Sequence, residues 1–92
     1  MKKITRAELL ALFGKSSVYI EKRLAQDYVD GVLVFEREDG YKTACVFGAP
    51  YTIKRWQDAE GVDYHLGYGA PQKAIAYYEK PHDREEAPVA AE

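Results

Sequence analysis

The sequence predicts an α+β fold in a single domain, and three observations carry that prediction. Two helix-forming segments open the chain, two runs of β-branched and aromatic residues follow around an Asp-Gly turn, and 92 residues are too few for two cores that each exclude water. The domain is expected over residues 1–80, with an acidic tail over 81–92 that lacks large apolar side chains and is read as disordered.

The first helix is signalled by Thr5 and Glu8, the spacing of a capping box, in which hydroxyl and carboxylate each satisfy a backbone N–H that the helix start leaves unpaired. Leu9, Leu10, Leu12 and Phe13 supply its apolar face, and Gly14 stands where a left-handed cap lets the chain turn. Ser16 and Ser17 are expected to cap a second helix with apolar positions Val18, Tyr19, Ile20, Leu24 and Tyr28, closed by Gly31. Its outer face carries Lys15, Ser17, Glu21, Lys22 and Arg23.

Val32–Phe35 and Thr43–Phe47 read as strands, and Asp39-Gly40 between them reads as a two-residue hairpin turn in which Gly accepts a positive φ. Gly48-Ala49-Pro50 ends the second strand. Pro50 suits the first turn of a third helix that turns Ile53 and Trp56 inward and ends at Gly61. Val62–Pro71 is rich in Gly and Tyr and reads as a loop or irregular strand around Tyr64, Leu66 and Tyr68. Lys73–Tyr78 fits a strand or a short helix equally, and as a strand it points only one of Tyr77 and Tyr78 inward.

Composition narrows the function. A hydrophobic content of 47%, with 8 Tyr, 3 Phe and 1 Trp, suffices for a modest core without disulfides or metal. The single Cys45 forms no internal bridge, which points to a reducing, cytoplasmic setting. Charges interrupt the basic start at Lys2, Lys3 and Arg6 before any secretory apolar run, and no stretch reaches the ~20 apolar residues of a membrane span. Net charge is -2, so attraction to nucleic acid must come from local clusters; residues 1–50 hold 8 Lys+Arg against 7 Asp+Glu.

No catalytic constellation is evident. Cys45 sits in an apolar strand and reads as a small core residue, while the histidines, His65 and His82, stand apart from any nucleophile. Asp63 and His65 lack the further ligands of a metal site, and Gly67-Tyr68-Gly69 lacks the Lys and Ser/Thr of a phosphate loop, so it reads as a turn. No enzyme activity and no cofactor is expected.

The order helix, turn, helix, hairpin, helix is that of a compact winged helix-turn-helix, whose second helix enters the major groove while the hairpin touches the backbone beside it. The stretch from Glu8 to Ser16, then Ile20 and Leu24, the hairpin, and Pro50–Trp56 resembles the excisionase-type winged helices. It is also similar to the DNA-binding domain of phage terminase small subunits, which share a Leu-x-x-x-Phe-Gly-x-Ser pattern. The resemblance covers about two thirds of the chain.

What it implies is a DNA-binding regulator or DNA-processing accessory protein of a phage or mobile element, binding as a dimer or in arrays. Lys15, Ser16 and Ser17 then lie near a phosphate, and Tyr19, Lys22 and Arg23 reach base edges or the flanking backbone, although Tyr19 equally fits the core. Lys2, Lys3 and Arg6 add a basic arm. Two residues depart from the pattern: Leu10 replaces a small side chain between the helices, and the wing Glu36-Arg37-Glu38-Asp39 is mostly acidic, which repels phosphate.

A second reading is a small protein-binding inhibitor, such as a phage-encoded antagonist of a host defence complex, working through the Tyr-rich acidic C-terminal half with Tyr64 and Tyr68 as contacts. A third, a structural subunit, requires a large exposed apolar patch.

Overall fold

The computed structural model describes residues 1–59, 63–67 and 70–81, with backbone alone at 63–67 and 70. The chain runs β1 (Lys2–Lys3), α1 (Arg6–Phe13), a 3₁₀ turn (Gly14–Ser16), α2 (Ser17–Leu24), β2 (Gly31–Glu36), β3 (Lys42–Phe47), α3 (Ile53–Asp58), β4 (Asp63–Gly67) and β5 (Ala70–Glu79). The fold is α+β around one mixed sheet in the order β1-β5-β2-β3, with β4 also paired to β5. β1 is parallel to β5; the other pairings are antiparallel.

β2 explains why apolar side chains cluster on both faces of the one sheet. Val32, Leu33, Val34 and Phe35 are all buried, and because successive strand side chains point to opposite faces, both faces of the sheet must be covered. Val32 and Val34 pack with Leu9, Ile20, Leu24 and Val29 under α1 and α2. Leu33 and Phe35 pack with Phe47, Ile53 and Trp56 under α3, and the Phe35 and Trp56 rings meet edge-on at 6.0 Å between centroids. The helices therefore lie on opposite faces of the sheet.

The capping box of α1 forms as expected: Glu8 N–H donates to the Thr5 hydroxyl at 3.1 Å, and Thr5 N–H to the Glu8 carboxylate at 2.8 Å. Gly14 takes φ +50°, the conformation that an L side chain resists. Neither Ser16 nor Ser17 caps α2, however. Ser16 is already helical at φ −78°, ψ −6°, because the 3₁₀ turn feeds straight into α2 and leaves no extended residue to bend its side chain back.

α2 also ends earlier than its apolar pattern suggests, at Leu24. Ile20 and Leu24 are buried, whereas Val18, Tyr19 and Tyr28 are exposed. An eight-residue helix spans about two turns and buries only the residues one turn apart that face the sheet. Gly31 does not close the helix; it opens β2, where a Cβ would stand 2.2 Å from the Tyr78 carbonyl oxygen.

The hairpin turns through three residues rather than two. Arg37 N–H donates to the Tyr41 carbonyl and Gly40 N–H to the Arg37 carbonyl, with Gly40 at φ +91° absorbing the extra residue. Pro50, after a cis Ala49-Pro50 bond, precedes α3 instead of occupying its first turn; Thr52 is the cap and accepts from Arg55 N–H at 3.4 Å.

Lys73–Tyr78 belongs to β5, which lies inside the sheet between β2 and β1. Both Tyr77 and Tyr78 pack, Tyr78 towards α1 and α2 and Tyr77 towards the opposite core, since a sheet covered twice has no outward face. The expected end of α3 at Gly61, the turn at Tyr68-Gly69 and the tail from His82 lie outside the described residues. α3 has its C-terminal cap at Ala59. No described helix is long and apolar enough to cross a membrane.

Candidate binding groove between α2 and the edge strand

β3 ends the sheet, so one of its sides has no partner strand among the described residues. Which backbone groups are free follows from the ladder. The Arg37 to Tyr41 hydrogen bond sets the phase, and alternation along an antiparallel pair then turns Thr43, Cys45 and Phe47 towards β2. The N–H and C=O groups of Lys42, Ala44 and Val46 point outward.

α2 overhangs that edge. It is fixed from below by Ile20 and Leu24 in the core and at its end by Lys80, whose Nζ donates to the Leu24 carbonyl at 2.8 Å and the Gln26 carbonyl at 3.1 Å. A cation on the last carbonyls of a helix satisfies acceptors that have no partner within it and offsets the negative end of its dipole. Arg6 and Glu21 add an exposed ion pair at 3.1 Å between α1 and α2, of small energetic weight.

Between α2 and β3 lies an open groove of about 490 Å³. Phe13, Tyr19, Ile20, Val32, Ala44 and Val46 give it an apolar floor and wall, and Ser16, Arg23, Tyr41, Lys42, Thr43 and Cys45 complete its lining. Among the described residues the lining holds two cations and no carboxylate. Lys42 pairs with Glu36 at 3.2 Å, whereas no ion pair engages Arg23 among the described residues.

Cys45 is half-buried and packs against the core of Leu33, Phe35 and Phe47, in line with its reading as a small core residue; burial raises its thiol pKa while the nearby Arg23 charge works the other way. The raised value keeps it a neutral thiol at neutral pH. Gln72 is the one buried polar side chain among the described residues; its Oε1 accepts from the Thr43 hydroxyl at 2.9 Å, a link from β5 across β2 to β3.

The six residues expected to meet DNA separate into two groups. Ser16, Tyr19 and Arg23 line the groove; Lys15, Ser17 and Lys22 do not. Lys15, Ser16, Tyr19, Lys22 and Arg23 are exposed, and Ser17 is half-buried. The acidic wing is largely neutralised from within, since Glu36 holds Lys42 and Asp39 holds Arg37. Arg37 also lies over the Tyr41 ring, 5.0 Å from its centroid. Leu10 packs against the core beneath α1 and α2 and also lines a second groove of about 740 Å³ with Ile4, Tyr78 and Pro81. Of the proposed protein contacts, Tyr64 lies in β4, where only the backbone is described, and Tyr68 lies outside the described residues.

The groove residues of β3 and the clamp at Lys80 were not singled out from sequence. Four consecutive apolar residues in β2 were the available signal: such a run marks a strand buried on both faces, and therefore a neighbour on the side away from β3. Among the described residues no group of three His, Cys, Asp or Glu side chains converges to hold a metal ion. No family model, no curated protein and no solved structure matches the chain.

Proposed function

We propose that this chain is a non-enzymatic binding module that takes a protein ligand in the groove between α2 and β3. The observation that carries the reading is the pairing of an unpartnered strand edge with an overhanging helix, apolar inside and cationic at its rim. Grooves of this size that combine apolar walls with a few placed polar groups suit ligand recognition. An inhibitor or adaptor working through this groove differs from the one expected of the C-terminal Tyr residues in its surface, not in its class.

The exposed Lys15, Tyr19, Lys22 and Arg23 favour a second reading, a winged helix-turn-helix that binds DNA through α2. The order helix, turn, helix, hairpin, helix supports it. The position of α3 across the sheet and the inclusion of β2 between β3 and β5 weigh against a projecting wing.

Selection of random displayed peptides on the full chain and on Tyr19→Glu separates the readings, together with a random-duplex titration at low and moderate salt. The protein-ligand reading expects peptides enriched on the native chain and lost on the variant, with no salt-dependent duplex binding. Equal enrichment on both would contradict it. Duplex binding that weakens steeply with salt and disappears on replacing Lys22 and Arg23 by Ala would favour DNA.

A further inference from the structure

Resting on the groove reading above, we infer that the ligand enters as an extended, acidic peptide segment that adds to the sheet as a new strand along β3. Three features lead there. The outward N–H and C=O groups of Lys42, Ala44 and Val46 form a ladder template that a strand at about 4.8 Å satisfies; the Val46 carbonyl also accepts a weak bond from the Cys45 thiol at 3.7 Å, which an incoming donor would share or displace.

The Lys42, Ala44 and Val46 side chains share the face of the sheet on which Val32 and Val34 meet α2, and Val46 packs into that core. An added strand directs every second side chain into the same space, against Tyr19 and Ile20. The ligand therefore alternates apolar residues with polar ones.

Charge fixes the rest. Arg23 and Lys42 border the groove; Lys42 is paired with Glu36, whereas among the described residues Arg23 has no ion pair and no carboxylate lines the groove, so Arg23 is the cation an incoming carboxylate meets. A carboxylate on the incoming strand complements this rim, whereas a basic segment meets like charge. The same argument disfavours a second copy of the chain as the occupant. Antiparallel pairing of two β3 strands about a twofold axis places both α2 helices on one side of the joint sheet, with the Arg23 cations of both copies beside the same joint and no carboxylate from either groove to meet them.

The test maps peptides selected on the full chain by amide exchange and chemical shifts of the isotopically labelled protein. Enriched peptides are expected to carry Asp or Glu with apolar residues at alternate positions, and binding slows exchange at Lys42, Ala44 and Val46 by about tenfold or more. Ala44→Pro, which removes an outward donor and leaves the bonds to β2 in place, weakens binding about tenfold, the scale of one or two hydrogen bonds. Arg23→Glu, a second variant that does not touch the backbone, shifts selection away from acidic peptides.

Shifts at Tyr19 and Arg23 without protection of the three edge amides would overturn strand addition while leaving the groove as the binding surface. Enrichment of basic or uncharged peptides would overturn the acidic ligand. Protection of the edge amides that grows with protein concentration in the absence of peptide would assign the edge to a second copy. Absence of enrichment, or shifts confined to another surface, would overturn both this inference and the groove reading.

Discussion

Lys80 stands 56 residues from Leu24 in sequence and touches its carbonyl oxygen, so one side chain ties the end of β5 to the end of α2. Replacing it by Met keeps most of the aliphatic stem and removes the two donated hydrogen bonds. We expect Lys80→Met to cost about 1–2 kcal/mol in urea unfolding and to increase amide exchange over the last turn of α2. Unchanged stability would mean that the clamp contributes nothing to holding the helix.

Asp39 behaves differently because its partners are local. The hydrogen bond from Arg37, then the Tyr41 backbone N–H, lowers its carboxyl from 3.8 to about 2. A depressed folded pKa contributes stability that is present above the unfolded value and is lost as pH falls from about 4 towards 2. The carboxyl carbon is expected to titrate near 2 in the native chain and to return towards 3.8 in Arg37→Met. A native midpoint near 3.8 would contradict the turn geometry.

At the scale of elements, the alternation along β3 makes neighbouring positions respond in opposite ways to proline. Ala44→Pro loses an N–H that faces solvent and should leave a folded, dispersed spectrum. Cys45→Pro loses an N–H bonded to Leu33 across the hairpin and should cost about 3 kcal/mol or more. Thermal unfolding of both variants checks the phase of the strand, and equal damage at the two sites would contradict it.

Elements set by neighbouring residues were legible in the sequence: the capping box at Thr5 and Glu8, the positive-φ Gly14, both hairpin strands, and the inward Ile53 and Trp56. Those set by distant partners were not. The apolar spacing of Val18, Tyr19 and Tyr28 imitates a longer helix, but α2 stops at Leu24 and a connection over 25–30 leads into β2 at Gly31. Likewise, the periodicity of Lys73–Tyr78 cannot announce that β5 pairs with β2, because pairing across the chain leaves no local mark.

For the whole molecule, β5 makes the decisive difference between the expected and observed arrangements. By adding beside β2 it places that strand inside the sheet, with α3 on the face opposite α1 and α2, and leaves β3 as an edge among the described residues. The candidate site was therefore half legible. Ser16, Tyr19 and Arg23 are legible as residues of an exposed helix, while their partners on β3 depend on the sheet order. An open strand edge is also a hazard for aggregation, and Lys42 at the hairpin end is the kind of residue that limits it.

Amide hydrogen exchange of the free protein tests the edge most directly. Fast exchange is expected at Lys42, Ala44 and Val46, alternating with protection at Thr43, Cys45 and Phe47. Uniform protection of all six would mean that something already covers β3, and the groove would then not be open to a ligand.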